Sequence, residues 1–242
     1  MILGAQPVSS FSHLFAAAFA LIAAIPMVRL AGGHPERKLA LLVYVSSVVL
    51  TLAISGIYHS CEPGGSARAI MQRVDHGAIW CLIAGTFTAV HGIMWNGFWR
   101  RGLLAFIWTY AVMGIVLQVL WFQEIVGSTE LMLYLGLGWV GIFSIRKLGR
   151  QIGWASVLPM LYAGLAYTAG AILEAFNWPV VVADWIEAHE VFHFAVIIGV
   201  ALHWRFIRKL VLHHAPRLHG HASPTAAPAA EPTKPVAVQV RV

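Results

Sequence analysis

Of the 242 residues, 59% are hydrophobic and only 11% are charged, with a mean hydropathy of +0.75. Charged residues make up about 25% of an ordinary soluble domain, so this composition excludes one and identifies an integral membrane protein. The formal charge of +6 invites a nucleic-acid reading, but the cations stand in short clusters beside apolar stretches, where they anchor and orient helices, and no nucleic-acid partner is expected.

A window of about 19 residues finds stretches long enough to cross a hydrocarbon core of about 30 Å near 11–29, 39–60, 72–94, 103–122, 127–146, 155–176 and 187–209. The first, "FSHLFAAAFALIAAIPMV", is a span and not a signal peptide, because no Lys or Arg precedes it and the first cation, Arg29, follows it. The boundary between the fourth and fifth, Glu124 to Glu130, is the softest. Glycines of the fifth and sixth (Gly136, Gly138, Gly141, Gly164, Gly170) read as sites of close helix packing. After the seventh, "HHAPRLHGHASPTAAPAAEPTKPVAVQVRV" loses helical periodicity and reads as a disordered tail. The expected fold is therefore all-α, an integral membrane bundle of seven transmembrane helices over 1–212, followed by an Ala/Pro/His-rich tail over 213–242. Cys61 and Cys81 read as small apolar residues, not as a disulfide.

Ionisable groups inside a span are costly and are functional suspects. That filter keeps Ser55 and His59 in "SGIYHS", Asp75 and His76 in "RVDHGAIW", His91 further along the same span, and His189, Glu190 and His193 in "HEVFH". Ser55 and His59 are four residues apart, as are His189 and His193, so each pair shares a helical face. With seven spans, the end of the second and the starts of the third and seventh lie at one membrane surface. His91, about 16 residues or ~24 Å from Asp75, belongs to the opposite surface. His76, about 100° round the helix from Asp75, reads as packing at the interface.

H-E-x-x-H on a soluble helix opens a zinc metalloprotease reading, which fails here because the helix belongs to a bilayer and no further histidine follows at suitable spacing. An intramembrane protease is a stronger rival, since "NWPVVVADW" approximates its N-x-P-x-x-x-x-D-G motif through Asn177, Pro179 and Asp184. That segment precedes the histidines in a loop, which is the wrong order. A site of His59, His189 and His193 fits all segments at once, since three neutral imidazoles hold zinc (Zn2+) while leaving a coordination position open. Asp75 is then placed to accept a proton from an attacking water, and Ser55 to hydrogen-bond the water, the Asp or a substrate carbonyl. Glu190, about 100° from His189, reads as lining the membrane surface.

Ser55-x3-His59, Asp75 and His189-x3-His193, together with "RVDHGAIWCLIAGTFT", "LYAGLAYTAGAILEAFNWP" and "HEVFHFAVIIGVALHW", resemble the hemolysin III family, bacterial relatives of the adiponectin and progestin (PAQR) receptors, over roughly 11–210. The resemblance implies a zinc ion on His59, His189 and His193 with Asp75 and Ser55 beside it, in a bacterial inner (plasma) membrane. Alkaline ceramidases of the wider superfamily hydrolyse a lipid amide, so the implied partner is a membrane lipid or sphingolipid-like amide. Ala89 stands where the family pattern leads us to expect Pro. Two functions stay open: a zinc-dependent lipid amide hydrolase, or a receptor or membrane-homeostasis protein whose zinc is structural.

The flanking cations set the expected orientation. Twelve Lys and Arg, from Arg29 to Arg217, flank one surface, whereas only Arg68 and Arg73 flank the other. The positive-inside rule puts the C-terminus in the cytoplasm and the N-terminus outside, so the histidines face the exterior, opposite to adiponectin receptors. A fluorescent protein fused after Val242 should light up in the cytoplasm; an active alkaline phosphatase at the same point reverses the orientation.

Overall fold

A computed structural model describes residues 6–214. The chain forms α1 (Pro7–Arg29), α2 (Pro35–Ser60), α3 (Ser66–Met94), α4 (Phe98–Leu120), a single turn α5 (Phe122–Ile125), α6 (Ser128–Trp139), α7 (Gly141–Ile152), α8 (Trp154–Ala175) and α9 (Ala188–Lys209). Among the described residues there is no strand, only an isolated bridge between Val182 and Ile186 in the α8–α9 loop. The expected tail lies outside the described residues except His213 and His214, which end a wide turn continuing α9.

Each expected apolar stretch coincides with helix. Proline at the first turn of α1 and α2 supplies a φ already suited to a helix and removes an amide with no intrahelical partner. The fifth stretch is divided at Val140, where the amides of Val140 and Phe143 reach back three residues instead of four and tighten the turn between α6 and α7. Gly153, with φ +86°, reverses the chain between α7 and α8 in a conformation that costs an L side chain strain. α3 passes through Ala89 without a break, and Ala89 is fully buried there.

Among the described residues, six segments are long and apolar enough to cross a membrane: α1, α2, α3, α4, the α6–α7 pair and α8. α9, the expected seventh span, is not among these six; its 22 residues carry His189, Glu190, His193, His203 and Arg205. Most of the α3 window is buried (61%) against 22% for α1 and α4, so α3 is central and the other two present apolar side chains such as Phe15, Phe19 and Met113 outward. α2 packs between α1 and α3, α8 lies on α9, and contact of α1 with α9 closes the bundle.

Close backbone approach falls elsewhere than expected. Of the five glycines read as packing sites, only Gly170 is pressed by a neighbouring helix, where an added Cβ would stand 2.6 Å from Ala195. Gly136, Gly138 and Gly164 have nothing within 4 Å of such a Cβ, and Gly141 has only ordinary contacts. Gly138, Gly141 and Gly164 instead line a cavity, so the missing side chains create space there. Tight approaches occur instead at Gly85 on α3, where a Cβ would stand 2.1 Å from Ser47 of α2, and at Gly114 on α4, where it would meet the ring of fully buried Trp80 at 2.3 Å. Gly114→Ala should destabilise the detergent-solubilised protein by about 1–3 kcal/mol through overpacking. Gly136→Ala should leave the melting temperature unchanged or raise it; equal melting of the two variants would contradict the packing at Trp80.

Candidate metal centre

α2 ends at Ser60 and α9 begins at Ala188, which brings His59 of one beside His189 and His193 of the other. Their ring centroids are 4.6–5.0 Å apart, and one ligand atom from each lies within 4.8 Å of the others. His59 and His193 are buried, and His189 is half-buried.

Each ring is held from behind. His59 Nδ1 lies 2.6 Å from the side-chain oxygen of Gln6, His189 Nδ1 lies 3.0 Å from Glu174 Oε1, and His193 Nδ1 lies 2.8 Å from His13 Nε2. The amide oxygen and the carboxylate accept hydrogen bonds, so they place the proton of His59 and His189 on Nδ1 and leave Nε2 as a lone pair. His13 Nε2 also lies 3.4 Å from the His193 carbonyl; in the tautomer in which His193 Nδ1 donates to His13, all three Nε2 atoms converge without a proton among them. His193 Nε2 is 3.1 Å from His189 Nε2, and His59 Nε2 is buried without any hydrogen-bond partner. Converging lone pairs in an apolar interior repel one another and lack a donor; a cation bound by imidazole resolves both, so this donor set fits a metal ion such as zinc.

Asp75 and Ser55 are both buried beside this cluster, near enough to each other to interact. Both line a cavity of about 590 Å³, as do His189 and His193. Thr51, one turn before Ser55, donates to the Ala78 carbonyl at 3.0 Å and fixes α2 against α3 at this depth. His76, next to Asp75, turns to Glu130, with Nδ1 2.8 Å from its carboxylate. Gln118 and Tyr134 also hydrogen-bond that buried carboxylate, which links α3, α4 and α6. His91 lies apart from the cluster, on Ser144 and the Trp99 carbonyl.

Glu190 departs from its expected place. It is buried, accepts a hydrogen bond of 3.0 Å from Ser9, and closes a capping box with Glu187 at the start of α9. It does not line the cavity, so the Glu of this H-E-x-x-H starts a helix and fastens it to α1. Cys61 and Cys81 are unpaired thiols, and the Asn177–Trp185 segment lies in the loop before α9.

Gln6, His13 and Glu174 were missed from the sequence, although a signal existed for two of them. His13 near the start of the first span and Glu174 at the end of the sixth lie at the same expected surface as His59 and His189. Gln6 precedes the first apolar run and carried no signal.

The sequence model of the family described as "Haemolysin-III related" matches residues 4–204. The chain is 29% identical to "Hemolysin-3" of Bacillus cereus over 170 residues, 70% of this chain and 74% of that protein. It is also 29% identical to "Hemolysin-3 homolog" of Bacillus subtilis (strain 168) over 132 residues, 54% of this chain and 57% of that one.

If the cluster holds a metal, replacing His59, His189 or His193 by Ala should strip most of it from detergent-purified protein, as read by elemental analysis. Glu174→Gln or His13→Phe should keep a site weakened about 10–100-fold, because the supporting partners set ring orientation and basicity. Full metal content in both His189→Ala and His193→Ala rejects the site.

Proposed function

Because this chain belongs to the haemolysin-III-related family, and because its three imidazoles meet a buried Asp–Ser pair at the wall of a largely apolar cavity, we propose that it is a membrane-embedded, zinc-dependent hydrolase acting on a lipid amide. The observation that carries this reading is the buried Asp75, since three histidines need no acid to complete a structural metal site. α9 is proposed as the seventh span, with the metal end towards the exterior and the C-terminus in the cytoplasm.

When bound, zinc supplies a Lewis acid that polarises the amide carbonyl and makes water acidic enough to attack at neutral pH. The chain's own groups do the rest. His59, His189 and His193 hold the ion in orientations set by Gln6, Glu174 and His13. Asp75 accepts the proton of the attacking water as its oxygen adds to the carbonyl carbon, then returns a proton to the nitrogen as the C–N bond breaks, leaving a fatty acid and an amine. Ser55, close to Asp75, is the hydroxyl placed to orient the carboxylate. The cavity, walled by Leu82, Phe87, Ile142, Met160 and Val196, takes the acyl chain and excludes bulk water.

A receptor or membrane-homeostasis protein with a structural zinc is the second reading, favoured by the way a metal here ties α2 to α9. Asp75→Asn separates the two. For the hydrolase it should retain zinc and lose about 10²–10⁴ of the rate on ceramide-like amides in mixed micelles. If the wild type leaves such amides intact and Asp75→Asn matches it in every cellular phenotype, the structural reading replaces the enzyme.

A further inference from the structure

The cavity follows α9 from His189 and His193 to His203. Those ten residues from His193 to His203 span ~15 Å of helix, about the length of a dozen methylene steps. Between the two ends the wall is mainly apolar, but the far end is not. His203 is only 8% exposed and lines the cavity. Its ring lies near the Gly199 carbonyl one turn back, yet Nδ1 closes no hydrogen bond of good geometry.

Tyr167 of α8 stacks on that imidazole, with centroids 5.8 Å apart and ring planes 17° from parallel, and also lines the cavity. Its position depends on Gly199, where a Cβ would stand 2.4 Å from the tyrosine ring. On the α2 side the Tyr44 hydroxyl is fully buried and unpartnered, near enough to Tyr167 for the two groups to interact electrostatically. Polar groups at the end of an apolar tunnel lose hydrogen bonds to water without replacement, and a plain hydrocarbon chain leaves them so. No Lys or Arg is among the described lining residues, so an anionic group would find no counter-charge there. A hydroxyl both donates and accepts, which suits an imidazole beside a phenol.

We propose that His203 and Tyr167 form a second recognition point in this cavity for a hydroxyl carried on an acyl chain, about a dozen carbons from the carbonyl held at the metal end. The proposal rests on the reading that the cavity takes an acyl chain, but not on hydrolysis. It makes the protein selective for hydroxylated acyl chains over unsubstituted ones.

Binding by full-length, zinc-loaded protein in detergent tests it, with competition read by native mass spectrometry. The probes are stearate, stearate hydroxylated about a dozen carbons from the carboxylate, and stearate hydroxylated beside the carboxylate. The mid-chain hydroxy acid should bind about tenfold more tightly than stearate, and the acid hydroxylated beside the carboxylate should show no such gain. In the Tyr167→Phe/His203→Leu double variant the advantage should vanish while stearate affinity stays within about twofold. The wild-type comparison needs no variant to fold: equal affinity for all three acids overturns the proposal, as it would if water alone serves these groups. Preference for the mid-chain hydroxyl without any amide hydrolysis keeps this inference and removes the enzyme reading. Failure of every acid to bind overturns both the hydroxyl site and the acyl cavity.

Discussion

Hydrocarbon offers an imidazole nothing to bond with, so a histidine inside a bilayer must find protein partners or a metal for both of its nitrogens. The arrangement of this bundle answers that requirement. His59, His189 and His193 give one nitrogen each to Gln6, Glu174 and His13, and turn the other towards a common point. The partners come from α8 and from the first turns of the chain, so α1, α2, α8 and α9 are all drawn to one depth. Ser55 and Asp75 extend the same constraint to α3, because a buried carboxylate also needs a donor. A second polar cluster, Glu130 with His76, Gln118 and Tyr134, does for α4 and α6 what the imidazoles do for α2 and α9.

The cavity results from local omissions of side chain. Tight glycine contacts occur where helices touch, as at Gly85 against Ser47 and Gly114 against Trp80. The glycines Gly138 and Gly164, which face the cavity, have nothing within 4 Å of an added Cβ. Polar groups at both ends with a mainly apolar lining between them suit a ligand with a reactive head and a long hydrocarbon chain.

Much of this could be read from the residues. Apolar length located the helices within a few positions, because span length is dictated by bilayer thickness. Equal spacing of Ser55–His59 and His189–His193 groups the three histidines that the structure brings together. The seven-span parity used beside it extends beyond the six segments long and apolar enough to cross a membrane among the described residues. What escaped depended on rotation and on distant partners. Glu190 is a seat for Ser9, 181 residues away, and no local pattern announces that pairing. His13 stands alone inside an apolar run, with no second histidine four residues away to mark its face. Among the glycines of the fifth and sixth spans, a sequence does not distinguish one kept small for a neighbour, as Gly170 is, from one kept small for a space, as Gly138 and Gly164 are.

The bonds between α1 and α9 also fix the order in which the site can be built. Ser9 and His13 find Glu190 and His193 across 181 and 180 residues of chain. At about 5–20 residues per second of synthesis, the first helix waits on the order of ten seconds or more for the last. Throughout that interval its hydroxyl and imidazole sit in or beside the bilayer without their final partners, and Gln6 has only α2 and α3 to hold. The histidine cluster can therefore close only after α9 is made, and a chain interrupted before α9 leaves Ser9 and His13 without these partners.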